Sequence, residues 1–279
     1  MLRKQLIFTA ITAASMILVS CGGEKQEHTQ LDYQETTDSI SSEVRADLSI
    51  IREGIPSPVI IAKTISKSGY SFNKGVLNSS SKGSNYSGKF AAAANLGIYG
   101  ADFGYVAGFG QSQDVLDYLQ QVAKLAKTVG VESAFNEDFG KEINDNMSKG
   151  DSLMDIIENG YSKAERNLRS QDRVNVAAII IAGGWVEGLF IGANTVTAKP
   201  LDLKTTDAYH SVYSQLIAYK FVIDLLSALK KDGDCAKMLE DLKALDPIVE
   251  KYKNTPKLSE ADVTAIKDAI SPLRNKITG

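Results

Sequence analysis

The sequence predicts an all-α fold, a multi-helix bundle of nine or ten helices. Two observations carry that prediction. From Glu43 onward, apolar residues recur at helical spacing in almost every segment. Helix-starting and helix-stopping residues then fall between most of those segments. Ile60-Ile61 is too short a run for a strand, and the helix cap before it argues against one. With 43 % hydrophobic residues the chain can fill a sizeable core.

The first elements follow directly. Val44, Leu48 and Ile51 form one apolar face, and Gly54 with Pro56 ends that helix. Ser57-Pro58 starts the next, with a capping hydroxyl followed by proline at the first helical position. Val59, Ile60, Ile61 and Ile65 supply its apolar residues. A short piece spans Phe72 to Leu77, and the Ser/Gly/Asn-rich run from Ser79 to Gly88 reads as a loop.

Lys89 to about Phe109 is dense in alanine and glycine, with Tyr99, Phe103, Tyr105 and Phe109 interleaved and Asp102 near its centre. Glycine inside a helix costs roughly 1 kcal/mol relative to alanine. Several such residues in one helix point to close backbone packing at the middle of the fold. Ser112 is expected to cap a cleaner amphipathic helix that ends at Gly130. A helix from Glu132 to about Met147 follows, and Asp151 opens the one after it.

Asp172 is expected to cap a second small-residue helix, which runs through Gly183-Gly184-Trp185-Val186-Glu187-Gly188-Leu189. Lys199-Pro200 breaks the chain. Thr205 or Thr206 begins a long helix that Gly233 is expected to end. Asp234 is read as the cap of the next. Ser259 with Asp262 resembles a capping box, with Asp in place of Glu. It opens a last helix of Val263, Ile266, Ile270, Leu273 and Ile277, which Pro272 is expected to kink or shorten.

The organisation has three parts: a leader at 1–20, a tether at 21–42 and a helical domain at 43–279. Within the last, two readings stand. One is a duplicated four-helix unit, 84–171 and 172–279, each half carrying a small-residue helix with one central acid. The other is a single irregular helical domain.

The leader has a basic start at Arg3 and Lys4, then about fourteen apolar residues from Leu6 to Val19, too few for the roughly twenty that span a bilayer. It closes on Leu18-Val19-Ser20-Cys21, which resembles a lipobox. That resemblance implies that Cys21 is acylated and becomes the first residue of the mature chain. Gly22 and Gly23 follow it with no Asp, which by resemblance to Gram-negative sorting rules favours the outer membrane. The membrane, reached through this lipid, is thus the first expected partner, on the periplasmic or the cell-surface face. Loss of Arg3 and Lys4 with the leader moves the net charge from −3 to −5. That mildly acidic, well-mixed balance offers no basic stripe for nucleic acid.

The search for chemistry returns little. The two histidines are His28 in the tether and His210. Asp207 and His210 share a helix face, but a di-iron site needs a second such pair. No metal ligand set and no cofactor motif is assigned, and His210 reads as a helix-face residue. No G-x-S-x-G elbow, Walker loop or dinucleotide fingerprint is present. With Cys21 lipidated, Cys235 stands alone and reads as a small apolar side chain near the start of a helix.

Paired carboxylates remain. Asp102 and Glu187 each sit in the middle of an apolar helix, where a charge is costly unless satisfied. If they meet, their titrations are pushed apart, as in glycosidase acid/base pairs. If instead each pairs with a base, they fix helix register, and Arg166, Arg169 and Arg173 are the bases considered. Tyr99, Asp102, Tyr105, Trp185 and Glu187 together form the candidate ligand-binding cluster, suited to a sugar, an amine or a cation. No residue is assigned as catalytic.

The segments Asn95-Leu96-Gly97-Ile98-Tyr99-Gly100-Ala101-Asp102 and Gly183 to Leu189, with the lipobox, resemble an uncharacterised family of helical lipoproteins from Bacteroidetes-type bacteria. The resemblance implies an envelope location and an all-helical fold, and it carries no activity or site residues. The function expected from these observations is a membrane-anchored, non-enzymatic binding or interaction module for an envelope protein or a small ligand. The alternative is an envelope hydrolase using Asp102 and Glu187.

Overall fold

A computed structural model describes residues 51–279. The expected leader and tether, Cys21 among them, and Val44 and Leu48 of the first expected helix lie outside the described residues. The described part is an all-α multi-helix bundle of ten helices: α1 (Pro58–Lys67), α2 (Lys89–Gly108), α3 (Ser112–Val129), α4 (Glu137–Asp145), α5 (Gly150–Ser170), α6 (Val174–Val196), α7 (Thr206–Ala228), α8 (Gly233–Leu242), α9 (Asp246–Tyr252) and α10 (Glu260–Thr278). Short 3₁₀ turns lie at Lys74–Val76, Lys82–Asn85, Glu132–Ala134 and Lys243–Leu245.

Two helices form the centre. α2 and α6 are apolar around their whole circumference, and almost every residue of each is buried. A helix of that kind belongs inside a protein or a membrane. α6 is long and apolar enough to cross a bilayer, yet most of it is buried inside this fold, as a core helix would be. α2 and α6 pack most extensively on each other. α1, α3 and α5 then cover α2, while α1, α7, α8 and α10 cover α6. The outer helices α3, α5 and α8 are amphipathic and turn one apolar stripe inward.

Glycine makes the central crossing possible. A Cβ placed on Gly97 would sit 2.0 Å from the Ile180 carbonyl oxygen, and one on Gly183 would sit 2.1 Å from that of Ala94. Each helix thus presents a bare backbone to the other's main chain. The small-residue content read from sequence is the direct cause of this approach.

Several boundaries follow the sequence. The Ser57 side chain accepts from Val59 N–H, with proline at the start of α1. Gly130 takes the left-handed conformation (φ 77°) and ends α3. The capping box of Ser259 and Asp262 is complete.

Others differ, each for a local reason. Asp232, not Asp234, caps α8, accepting from the N–H groups of Asp234 and Cys235. α7 stops at Ala228, and Gly233 begins the next helix rather than ending this one. Asp172 does not cap α6; it sits at φ 59°, a turn conformation that aspartate tolerates better than most residues. Ser112 is the first helical residue of α3, with no side-chain cap before it. The segment from Glu132 to Met147 is split, because Asn136 caps a fresh start by accepting from Phe139 N–H. α10 runs through Pro272 without interruption, held by the buried stripe Val263, Ile266, Ile270 and Leu273.

Candidate functional site

Asp102 projects from the middle of α2 and Glu187 from the middle of α6, and both are wholly buried. The central crossing brings their carboxyl groups within hydrogen-bond reach of each other. Arg274 of α10 completes the group. Its Nε donates to Glu187 Oε2 and its Nη2 to Oε1, each at 2.9 Å. This is a bidentate pair, the strongest form of carboxylate recognition. The guanidinium also lies over the Phe190 ring, 4.7 Å from its centroid.

Asp102 has less support. Its Oδ2 accepts from Asn78 N–H at 3.2 Å. Its Oδ1 meets no donor among the described residues. Burial raises its pKa well above the usual carboxylate range, and the nearby Glu187 charge raises it further. Burial also raises Glu187, opposed by the hydrogen bonds and the charge of Arg274. The proton therefore resides on Asp102, and Glu187 is the anion. One shared proton and one guanidinium leave the trio electrically neutral, the condition for placing three ionisable groups in a protein interior.

A ring of tyrosines seals the trio from one side. Tyr118 OH donates to the Asn78 carbonyl at 2.7 Å, and Tyr99 OH to that of Ser79 at 2.6 Å. Asn78 Nδ2 donates to Tyr86 OH, which in turn donates to the Thr278 carbonyl at 3.0 Å. Asn95 Nδ2 donates to the Ile277 carbonyl at 3.0 Å. The loop after Lys74–Val76 and the last turn of α10 are both fastened over the acids by these contacts. Burial pushes the phenols of Tyr86, Tyr99 and Tyr118 up.

The five residues proposed from sequence divide. Asp102 and Glu187 meet, and Tyr99 stands beside them. Tyr105 stacks instead with Phe109 and Phe72, and its hydroxyl accepts from Asn73 N–H. Trp185 Nε1 donates to the Gln215 carbonyl at 2.9 Å, with the ring against Tyr219. The basic partner is also a different residue from those considered. Arg173 donates to the Val129 carbonyl, Arg166 is exposed and Arg169 pairs with Glu165.

Sequence reading missed Arg274, Asn78, Tyr86 and Tyr118. A signal for Arg274 existed. It follows Ile270 by four residues and Ile266 by eight, so it lies within the buried stripe of α10, where a guanidinium requires a buried acid.

Open space lies elsewhere. A narrow cleft of about 60 Å³ runs between α1, α2, α5 and α6. Its floor includes Gly97, Gly100 and Gly184, and its rim carries two polar pairs, Arg52 with Glu165 (3.1 Å) and Ser57 with Glu158. A wider groove of about 440 Å³ lies between α1 and α7. Neither is lined by Asp102, Glu187, Arg274 or Tyr99. Cys235 is buried, its thiol pushed up by burial and placed 3.6 Å from the Asn175 carbonyl oxygen. His210 and Asp207 are exposed on α7 at the wider groove.

No protein-family model, curated protein or solved structure matches the chain.

Proposed function

We propose that the chain is a non-enzymatic binding or interaction module, held at the bacterial outer membrane by lipid on Cys21. The leader and its lipobox support the anchor. The observation that carries the non-enzymatic reading is the state of the acid pair. Glu187 is locked to Arg274, both carboxyl groups are fully buried, and neither described cleft above reaches them. A general acid must come within about 3 Å of its substrate. The trio instead resembles a register lock that joins α2, α6 and α10.

The hydrolase reading retains one supporting observation, the contact between the two carboxyl groups. The seal of tyrosines over that contact weighs against it.

The anchor is tested in a Gram-negative host by palmitate labelling of the full chain. The native sequence takes up label and fractionates with membranes, and Cys21→Ser does neither. Equal labelling of both, or a native chain left unlabelled with its leader intact, removes the anchored reading.

A further inference from the structure

The cover over Asp102 is the segment from Leu77 to Gly88. Between Leu77 and Tyr86 it carries no apolar side chain, and Ser79, Ser81, Lys82, Ser84 and Asn85 are exposed. Polar contacts hold it instead. Tyr118 OH donates to the Asn78 carbonyl and Tyr99 OH to the Ser79 carbonyl, while Lys124 Nζ donates to Ser84 Oγ at 2.6 Å. The far end is latched where Tyr86 OH donates to the Thr278 carbonyl. A segment with few buried apolar contacts opens more readily than the helices it lies on.

The ionisable groups that act on Asp102 come from every side. Glu187 of α6 lies within hydrogen-bond reach, and Arg274 of α10 spends Nε and Nη2 on Glu187. Tyr99 of α2, Tyr118 of α3, Tyr161 of α5 and Tyr86 of the cover surround them. Each of these four phenols donates its proton to a main-chain carbonyl. The α1 lysines, Lys63 and Lys67, pair with Asp151 at the surface. With its proton, Asp102 leaves one anion facing one guanidinium. Without it, two carboxylates in contact share that single cation. Among the described residues Asn78 N–H is then the one donor to Asp102. A buried carboxylate so poorly supplied is costly, and water is the remaining source of donors.

We infer that segment 77–88 is a proton-coupled flap, closed over the protonated acid pair and opening to admit water when Asp102 gives up its proton. The helices stay in place as it opens, because α2 and α6 are held together by backbone contact at Gly97 and Gly183 and not by the flap. The sign follows from linkage. Closed, burial and the Glu187 charge raise the Asp102 pKa. Open to water, it returns toward the usual value of about 4. Between those two values each opening releases one proton, so the opening constant rises about tenfold per pH unit. The flap rests on the assignment of the shared proton to Asp102 and is independent of the binding-module reading.

The test is amide hydrogen exchange of the full chain in detergent between pH 5 and pH 7, corrected for the intrinsic pH dependence of exchange. Amides of α2, which exchange through global unfolding, are the reference. The flap amides, Asn78 among them, are expected to open far more often than those of α2 and to be insensitive to low urea. Their opening constant rises at least tenfold over the range. Asp102→Asn makes it independent of pH. Tyr118→Phe, which frees the Asn78 carbonyl, raises it by the same factor at each pH and keeps the slope. Flap amides whose opening ignores pH in the native chain, or that open only together with α2 and with its urea response, overturn the proposal. A slope that survives Asp102→Asn, or that Tyr118→Phe abolishes, assigns the proton to another group and overturns it as well.

Discussion

Arg274 and Glu187 are joined by two parallel hydrogen bonds of 2.9 Å, from Nε to Oε2 and from Nη2 to Oε1. The pair ties the last helix of the chain to the central one. Because Arg274 lies near the end of α10 and Glu187 in the middle of α6, the final helix cannot slide without breaking a buried ion pair. Asp102 then adds a third helix to the same point.

Removing one partner leaves a buried charge uncompensated, which costs about 3–5 kcal/mol. Arg274→Met keeps the aliphatic volume against Phe190 and strips the charge from beside Glu187. It is expected to lower stability by that amount in urea unfolding. The double variant Arg274→Met with Glu187→Gln removes both charges and recovers most of the loss. If the double variant is as unstable as the single, the energy lies in packing and not in the uncompensated carboxylate.

Asp102→Asn tests where the shared proton sits. The folded-state pKa of Asp102 is raised, so the native state keeps a proton that the unfolded chain has released. The stability tied to that proton is complete below the unfolded value, near 4, and is lost as pH rises toward the folded value. Asparagine copies the protonated form: its carbonyl accepts from Asn78 N–H and its amide donates to Glu187. The variant is therefore expected to gain on the native chain as pH rises from 5 to 8, by up to about 1.4 kcal/mol per pH unit. Urea midpoints for both chains across that range decide it. A difference that does not change with pH places the proton elsewhere.

Asp262 has the opposite sign. The Ser259 hydroxyl and N–H donate to its Oδ2 at 2.7 and 2.8 Å and hold its pKa below the usual carboxylate value. Its contribution is present above the unfolded pKa and is lost as pH falls. Ser259→Ala removes the cap and is expected to cost about 0.5–2 kcal/mol at neutral pH. The penalty shrinks as pH falls below about 4, where Asp262 of the unfolded chain takes up a proton that the folded chain resists. A penalty that stays constant from pH 7 to pH 3 means that the serine does not act through this carboxylate.

How much of this was legible in sequence depended on the range of the interaction. Ser57-Pro58, Gly130 and the Ser259–Asp262 box act within one turn, and their residue types alone specify them. Asp102 and Glu187 stood out because an acid amid apolar neighbours needs a partner, but whether that partner is the other acid or a base stayed open in the sequence. The identity of the partner was a question of topology. Arg274 is 87 residues from Glu187, and no local pattern says that α10 returns to α6. Asn78 carries no signal at all, since its role comes from a main-chain N–H placed by Tyr99 and Tyr118. The same limit explains Tyr105 and Trp185. Their aromatic character was visible, but the directions in which they point depend on helix rotation about the crossing.

The crossing itself supplies the last prediction. On propensity alone, Gly97→Ala and Gly183→Ala should stabilise their helices by roughly 1 kcal/mol each. The structure reverses the sign, because the new Cβ atoms would lie 2.0 and 2.1 Å from main-chain carbonyl oxygens of the opposite helix. Backbone cannot step aside as a flexible side chain can, so α2 and α6 must separate. Overpacking in a core commonly costs about 1–3 kcal/mol, and here the displacement also disturbs the Asp102–Glu187 contact. Each variant is therefore expected to lose at least that much. Gly140→Ala is the control: it lies within α4, and its added Cβ meets nothing within 4 Å. That change is expected to stabilise by about 0.4–1 kcal/mol. Thermal or urea unfolding of the three variants compares them directly. Stabilisation at Gly97 or Gly183 equal to that at Gly140 would mean that the two central helices do not touch through their backbones.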